Sequence, residues 1–152
     1  MDNKTFISKI NTIKKQMYMI ALSMLRNHED AEDVVQEAIL SAYETSWKLK
    51  NEDSFNAWMF RIIINQAKMF IRKNHRLIVT NEIPDQIHEE KYEDVWDVVL
   101  ALNKELSTVV ILYYVQEYSV KEIAKIMSIP VGTVKSRLAK ARKILREEFE
   151  RI

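Results

Sequence analysis

The chain has 152 residues and lacks cysteine entirely; it holds one glycine and two prolines. Without cysteine there are no disulfides and no thiolate metal sites, which suits a reducing cytoplasm. So little glycine and proline leaves few turns, pointing to an almost wholly helical protein with short connections. No apolar run is long enough to span a bilayer, and Met1 leads straight into charged residues without the apolar core of a signal peptide. A cytoplasmic location is the expectation. What is present is 47% hydrophobic and 30% charged residues, enough for one or two small soluble domains with their own cores. The net charge of +1 conceals a strong segregation along the chain.

The most informative stretch is Ser119–Arg146. Ser119 followed by Glu122 predicts a capping box, in which each side chain satisfies an orphan backbone N–H. Ile123, Ala124 and Met127 supply the apolar stripe of a short helix. Ser128-Ile129-Pro130 ends it, because proline disfavours helical geometry before itself and suits the first turn of a new helix. Val134, Leu138, Ala141 and Leu145 then recur at helical spacing and are expected to pack inward. Thr133, Ser136, Arg137 and Lys140 fall on the opposite side, with Lys135, Arg142 and Lys143 on the flanks. This pattern predicts a helix-turn-helix whose second helix enters a major groove. Between Val131 and Arg146 there are six Lys/Arg and no Asp/Glu, so the basic side chains suit phosphates and Thr, Ser and Arg suit base edges.

Upstream, Phe6, Ile10, Ile13, Met17, Ile20, Ala21 and Met24 mark a first helix, with Lys9, Lys14, Lys15 and Gln16 on its other side. Asn27 is placed to break or cap. A second helix opens with Glu29, Asp30, Glu32 and Asp33, where the macrodipole favours negative charge. Val34, Val35, Ala38, Ile39, Ala42 and Tyr43 form its expected buried side. No Lys or Arg occurs between Asn27 and Trp47. For Asp33, Gln36 and Glu37, periodicity leaves two readings open: exposed surface near a helix start, or a docking face for a basic partner.

A polar loop from Lys48 to Asp53 follows, with Asp53 or Ser54 placed to cap a third helix. There Phe55, Trp58, Met59, Ile62, Ile63, Gln66 and Phe70 follow helical spacing. Arg61, Asn65, Lys68, Arg72, Lys73 and Arg76 form an increasingly basic margin. Cations beside aromatics suit single-stranded nucleic acid, although a core stripe with surface cations produces the same string. Val79–Asp97 carries seven acids against Lys91 alone, a net of −6, and reads as an inter-domain linker passing into helix near Tyr92. Val95, Trp96, Val99, Leu100, Leu102, Leu106, Val109, Val110, Leu112, Tyr113 and Val115 then begin a second helical domain. Asp33 and Glu37 sit one turn apart, but no Glu-x-x-His pair accompanies them and the calcium-loop pattern is missing. Neither a metal nor any other cofactor is expected.

Asp30-Ala-Glu-Asp-Val-Val-Gln-Glu-Ala38, Trp58-Met-Phe-Arg-Ile-Ile-Ile-Asn65, Leu112-Tyr-Tyr, Ser119-Val-Lys-Glu-Ile-Ala124 and Gly132-Thr-Val-Lys-Ser-Arg-Leu138 occur in that order. Together they resemble the group IV, or extracytoplasmic-function (ECF), sigma factors of bacterial RNA polymerase. The resemblance spans Phe6 to Phe149 apart from the linker. It implies an all-α chain with a sigma-2-like helical bundle (residues 1–76), a flexible acidic linker (77–94) and a sigma-4-like helix-turn-helix domain (95–152). By this resemblance Asp33, Gln36 and Glu37 dock on core RNA polymerase. Lys50, Asn51, Trp58, Arg61, Asn65 and Arg72 engage the opened −10 element, with Trp58 also compatible with core. Thr133, Lys135, Ser136, Arg137, Lys140 and Arg142 read the −35 duplex. The implied partners are core RNA polymerase, promoter DNA and an anti-sigma factor, in many members membrane-anchored; the implied role is not enzymatic.

The chain departs from the family pattern at four places, one of which, Ile63-Ile64 in place of a frequently smaller Ala-Val pair, says little about function. Leu102-Asn103 stands where Leu-Pro is frequent, Thr108 where Arg is common, and Met127-Ser-Ile-Pro130 where the turn often reads Leu-Gly-Ile-Ser. Ser128 therefore either tolerates a left-handed conformation or sits in a different turn. Two other functions fit parts of the chain. An autonomous dimeric helix-turn-helix regulator accounts for Ser119–Arg146 but leaves the acidic helix and Trp58–Asn65 without a role. A carboxylate-rich metalloenzyme lacks the required histidine spacing.

Overall fold

The computed structural model describes residues 1–74 and 95–150. The expected linker and Arg76 lie outside these residues. Among the described residues every regular element is helical. The chain divides into two compact units, Met1–His75 and Arg76–Ile152.

The first unit is a bundle of α1 (Asn3–Leu25), α2 (His28–Thr45) and α3 (Phe55–Lys73), each packed on the other two. Its helix ends follow from local chemistry. Asp2 accepts the Thr5 N–H at 2.7 Å and starts α1. Arg26, left-handed at φ 59°, ends it with an N–H bond to the Leu22 carbonyl. Asn27 at once caps α2 by accepting the Asp30 N–H at 3.0 Å, so two residues reverse the chain. Between α2 and α3 lie two short 3-10 turns, Ser46–Lys48 and Glu52–Ser54. Ser54 makes no side-chain cap to α3. Instead Asn51 accepts the Asp53 N–H and starts the turn that feeds the helix.

Met17, Ile20, Phe55, Met59, Phe60, Ile63 and Ile64 are almost entirely buried; removing one such side chain costs about 2–5 kcal/mol. The buried stripe of α3 differs from the expected one. Phe60, Ile64 and Ala67 face inward, while Trp58, Ile62, Gln66 and Phe70 are only half-buried. Three consecutive isoleucines, Ile62 to Ile64, span about 200° of helix surface, so periodicity alone does not decide which two face α1 and α2. Tyr43 also departs from its expected burial. It is 48% exposed, with its ring edge-on to Phe6 and its hydroxyl donating to Asn3 Oδ1 at 2.9 Å.

The second unit contains α4 (Val95–Ala101), α5 (Lys104–Val110), α6 (Val120–Met127) and α7 (Val131–Glu150). Asn103, in the place of the frequent proline, caps α5 through the Leu106 N–H at 3.0 Å. Thr108 is buried, and its hydroxyl donates to the Lys104 carbonyl at 3.0 Å. α5 then widens into one π-helical turn, Ile111–Val115, where the Gln116 N–H reaches the Ile111 carbonyl. Val115, expected inside, is 40% exposed beyond this turn. Both halves of the Ser119–Glu122 capping box are present. Val134, Leu138 and Ala141 seat α7 on the core as the spacing predicts, with Leu145 half-buried further along.

The turn between α6 and α7 keeps a glycine-type geometry without glycine. Ser128 has φ 56° and ψ 47°. The Ile129 N–H bonds to the Ala124 carbonyl at 3.0 Å, and the Ser128 N–H to Lys125 at 3.4 Å, the Schellman arrangement. A side chain in this conformation costs about 1–2 kcal/mol. Ser128→Gly should therefore stabilise the second unit by about 1 kcal/mol after the larger entropy of the unfolded glycine chain is subtracted. Ser128→Val should destabilise it; urea unfolding midpoints check both.

Candidate nucleic-acid interface

Charge in the first unit is sorted helix by helix. α1 carries Lys4, Lys9, Lys14 and Lys15 and no acid. α2 carries Glu29, Asp30, Glu32, Asp33, Glu37 and Glu44 and no Lys or Arg. α3 carries Arg61, Lys68, Arg72 and Lys73 and no acid. Because each helix buries a face against both neighbours, its charges collect on the remaining outward ridge. One side of the bundle is therefore purely acidic and the others basic.

Asp33, Gln36 and Glu37 are all exposed on the outward ridge of α2. Burial, then repulsion from Asp33 and Glu29, pushes the Asp30 carboxyl above its usual range. Leu40, four residues beyond Gln36, is 59% exposed on the same ridge. It places an apolar contact among the carboxylates and was missing from the expected set. Its spacing from Asp33, Gln36 and Glu37 was the available signal.

Lys50 and Asn51 are exposed in the connection between α2 and α3, and the Asn51 side chain is occupied as a cap. Trp58 is half-buried, its ring 5.9 Å from that of Phe55. Arg61, Asn65 and Arg72 are exposed, and with Trp58 they follow one ridge of α3. Sequence reasoning passed over Trp47, which is 77% exposed with the Lys48 ammonium 5.4 Å from its ring. Nothing in its local spacing separates it from a core aromatic.

On α7, Lys135, Ser136, Lys140 and Arg142 are exposed, and Thr133 and Arg137 half-buried. The Ser136 hydroxyl donates to the Thr133 carbonyl at 3.1 Å. Gly132 also lies here, with nothing within 4 Å of where a Cβ would stand. Arg142 differs from its neighbours. Its Nε donates to the Tyr114 hydroxyl at 2.6 Å, and its guanidinium lies 5.4 Å and 5.7 Å from the Tyr113 and Tyr114 ring centres. The Tyr114 hydrogen bond raises the Arg142 pKa. The π-helical turn sets these two tyrosines edge to face, 4.9 Å apart. Arg142 thus ties α7 to the end of α5 as well as adding positive charge.

Among the described residues no group of three or more His, Asp or Glu converges on a metal site. Nor is any helix there long and apolar enough to cross a membrane.

The geometry has counterparts among known proteins. The family described as Sigma-70 region 2 matches residues 10–77, and Sigma-70, region 4 matches residues 92–145. The ECF RNA polymerase sigma factor SigW of Bacillus subtilis is 28% identical, with 97% of this chain and 90% of SigW aligned. RNA polymerase sigma factor SigV of the same organism is 31% identical over 92% of this chain and 88% of SigV. Among solved structures, the sigma factor RpoE from Bartonella quintana, crystallised with the anti-sigma factor NepR, has a TM-score of 0.77 at 22% identity. That match covers 97% of this chain and 98% of RpoE, and shows the shared fold. This chain belongs to the ECF group of the sigma-70 family, alternative sigma factors that direct transcription initiation by RNA polymerase.

Proposed function

We propose that the two units divide promoter recognition between them. Residues 1–76 bind core polymerase and the −10 element, and residues 95–152 bind the −35 element, with 77–94 as the tether. The observation that carries this reading is the sorting of charge: an acid-only ridge on α2, a base-only ridge on α3, and an acid-free basic stretch of α7 from Val131 to Arg146. Asp33, Gln36 and Glu37, with Leu40 among them, form the polymerase dock. Lys50, Asn51, Trp58, Arg61, Asn65 and Arg72 hold the opened −10 strand. Unpaired bases bound by protein shift the duplex–bubble equilibrium, so strands open without ATP hydrolysis. Thr133, Lys135, Ser136, Arg137 and Lys140 face the −35 major groove. Arg142 supports them by fixing α7, and any phosphate contact it makes competes with its tyrosine partners.

The protein lends specificity to polymerase and performs no chemistry itself. It acts in the cytoplasm, where polymerase and promoter are. An anti-sigma factor is the expected regulator; the likeness to RpoE, solved with NepR, and to CnrH, solved with the cytosolic domain of CnrY, supports this.

Reconstitution with core polymerase on a promoter library tests the whole reading; absence of core binding at low salt would overturn it. Gln36→Ala with Glu37→Lys should weaken core binding while leaving thermal unfolding unchanged, since both side chains are exposed. Unchanged core affinity would remove this face as the dock. Arg137→Ala should cost about 1–3 kcal/mol of promoter binding, concentrated on some −35 sequences; an equal loss on every sequence would make it a phosphate contact. Arg142→Met and Lys140→Met separate support from contact. The first should lower the stability of the second unit by about 1 kcal/mol through the lost ring contacts. The second should leave stability unchanged and weaken DNA binding. Urea unfolding and fluorescence anisotropy measure the two effects.

A further inference from the structure

We infer that the Tyr114 hydroxyl is a DNA-backbone contact, donating to one phosphate at the edge of the −35 element from outside the helix-turn-helix itself. Tyr114 lies in the π-helical turn Ile111–Val115 that closes α5, and it is 50% exposed. Its oxygen accepts the Arg142 Nε–H at 2.6 Å. A hydroxyl has one hydrogen to give, and an oxygen that accepts from a cation cannot aim that hydrogen back at it. The hydrogen therefore points away from the guanidinium. Accepting from a charged donor also polarises the O–H bond, which makes it a stronger donor in turn. Tyr114 carries the contact, and Arg142 is its positioning residue.

Three observations favour a phosphate over bulk water as the acceptor. First, Lys135, Ala139, Arg142 and Arg146 follow one another at helical spacing, and all four are exposed. They form a single ridge of α7 that carries three cations and no acid, and Tyr114 meets it at Arg142. Ala139 is the one short side chain on that ridge, and it leaves room between Lys135 and Arg142 for a sugar-phosphate backbone to come close. Second, packing does not require the hydroxyl. A phenylalanine ring would keep the guanidinium contacts, which lie 5.4 Å and 5.7 Å from the two tyrosine ring centres. Third, the hydroxyl is held rigid. The Tyr113 ring backs Tyr114 edge to face at 4.9 Å, while Arg142 fixes its oxygen, so little side-chain entropy is lost when it binds.

Helix geometry says which strand is reached. Val134, Leu138 and Ala141 face the core, so Ser136 and Ala139 point outward, toward the floor of the groove. Thr133 and Arg142 stand on opposite flanks, about 180° apart around the axis. A helix lying in a major groove turns its two flanks toward the two backbones. The Arg142 flank, extended outward by Tyr114, therefore faces one strand while Thr133 and Lys140 face the other. A single neutral donor at such a flank suits a phosphate oxygen, where tyrosine hydroxyls add register without reading sequence.

The contact rests on the −35 role proposed above for α7, and the test separates the two. Holoenzyme reconstituted with core polymerase is titrated with a promoter duplex and with the same duplex cut back to remove the −35 segment. Tyr114→Phe should weaken binding to the full duplex about tenfold, the effect of one hydrogen bond to a charged acceptor. The loss should be equal for every −35 sequence and absent on the truncated duplex. The log–log salt dependence should keep its slope, because a neutral donor displaces no counterion. In a scan of single methylphosphonate linkages, one linkage should weaken the wild-type protein and leave Tyr114→Phe unaffected. Urea unfolding should hardly move, since the ring keeps its guanidinium contacts. In an Arg142→Met background Tyr114→Phe should cost markedly less, because the hydroxyl has lost its support. Absence of any coupled linkage would overturn the contact, as would an equal loss on the truncated duplex. So would tighter binding with a slope steeper by about 0.9, the sign of a released Arg142 taking the phosphate itself. Lys140→Met in the same assay probes α7: undiminished binding to the full duplex there would refute the −35 role whatever Tyr114 does.

Discussion

Three helices packed around Met17, Ile20, Phe60 and Ile63 leave each helix one outward ridge, and that constraint shapes everything the first unit presents to a partner. α2 must expose Asp33, Gln36, Glu37 and Leu40 together, because Val34, Val35 and Ala38 are committed to the core. α3 must expose Arg61, Asn65 and Arg72 together for the same reason. Unipolar ridges are unfavourable for an isolated fold, since like charges one turn apart repel and no opposite charge on the same helix offsets them. Such ridges make sense on a protein that spends its working life between polymerase and DNA.

The second unit meets a different constraint. Its recognition helix must be rigid at the surface yet reach outward with long, flexible side chains. Val134, Leu138 and Ala141 anchor one face. The Ser128 turn sets the angle at which α7 leaves α6, and Arg142 clasps Tyr113 and Tyr114 further along. A single π-helical turn makes that clasp available. By inserting one residue into the helical ladder, it rotates the two tyrosines to the place where Arg142 can meet both a hydroxyl and two ring faces. Arg142 thereby spends its fork on its own fold, whereas Lys135 and Lys140 are exposed.

The departures from the family pattern are absorbed locally. Asn103 replaces a proline's fixed backbone with a side-chain cap, so the same helix start is reached by a hydrogen bond. Ser128 adopts the left-handed conformation that glycine takes without cost. Gly132, the chain's one glycine, sits instead in the first turn of α7, where no left-handed geometry requires it and open space surrounds it. Its missing side chain leaves the backbone of that turn open to close approach from outside.

What the sequence determined by itself is what local chemistry controls. The cap at Asn27, the capping box of Ser119 and Glu122, the inward spacing of Val134, Leu138 and Ala141, and the acid-only and base-only helices were all legible, because each needs only neighbours within a turn or two. The ordered motifs carried the family for the same reason. Tertiary structure decided the rest. Ile62, Ile63 and Ile64 compete for two inward places, and only the simultaneous packing of α1 and α2 settles which win. Leu40 and Trp47 look like core residues by type, yet they stand outside because their helix and their turn have already spent their buried sides. The Tyr114–Arg142 bond spans 28 residues. Leu40 apart, whose spacing from Asp33, Gln36 and Glu37 was readable, such features have no local signature, since the interactions that create them exist only once the helices have packed.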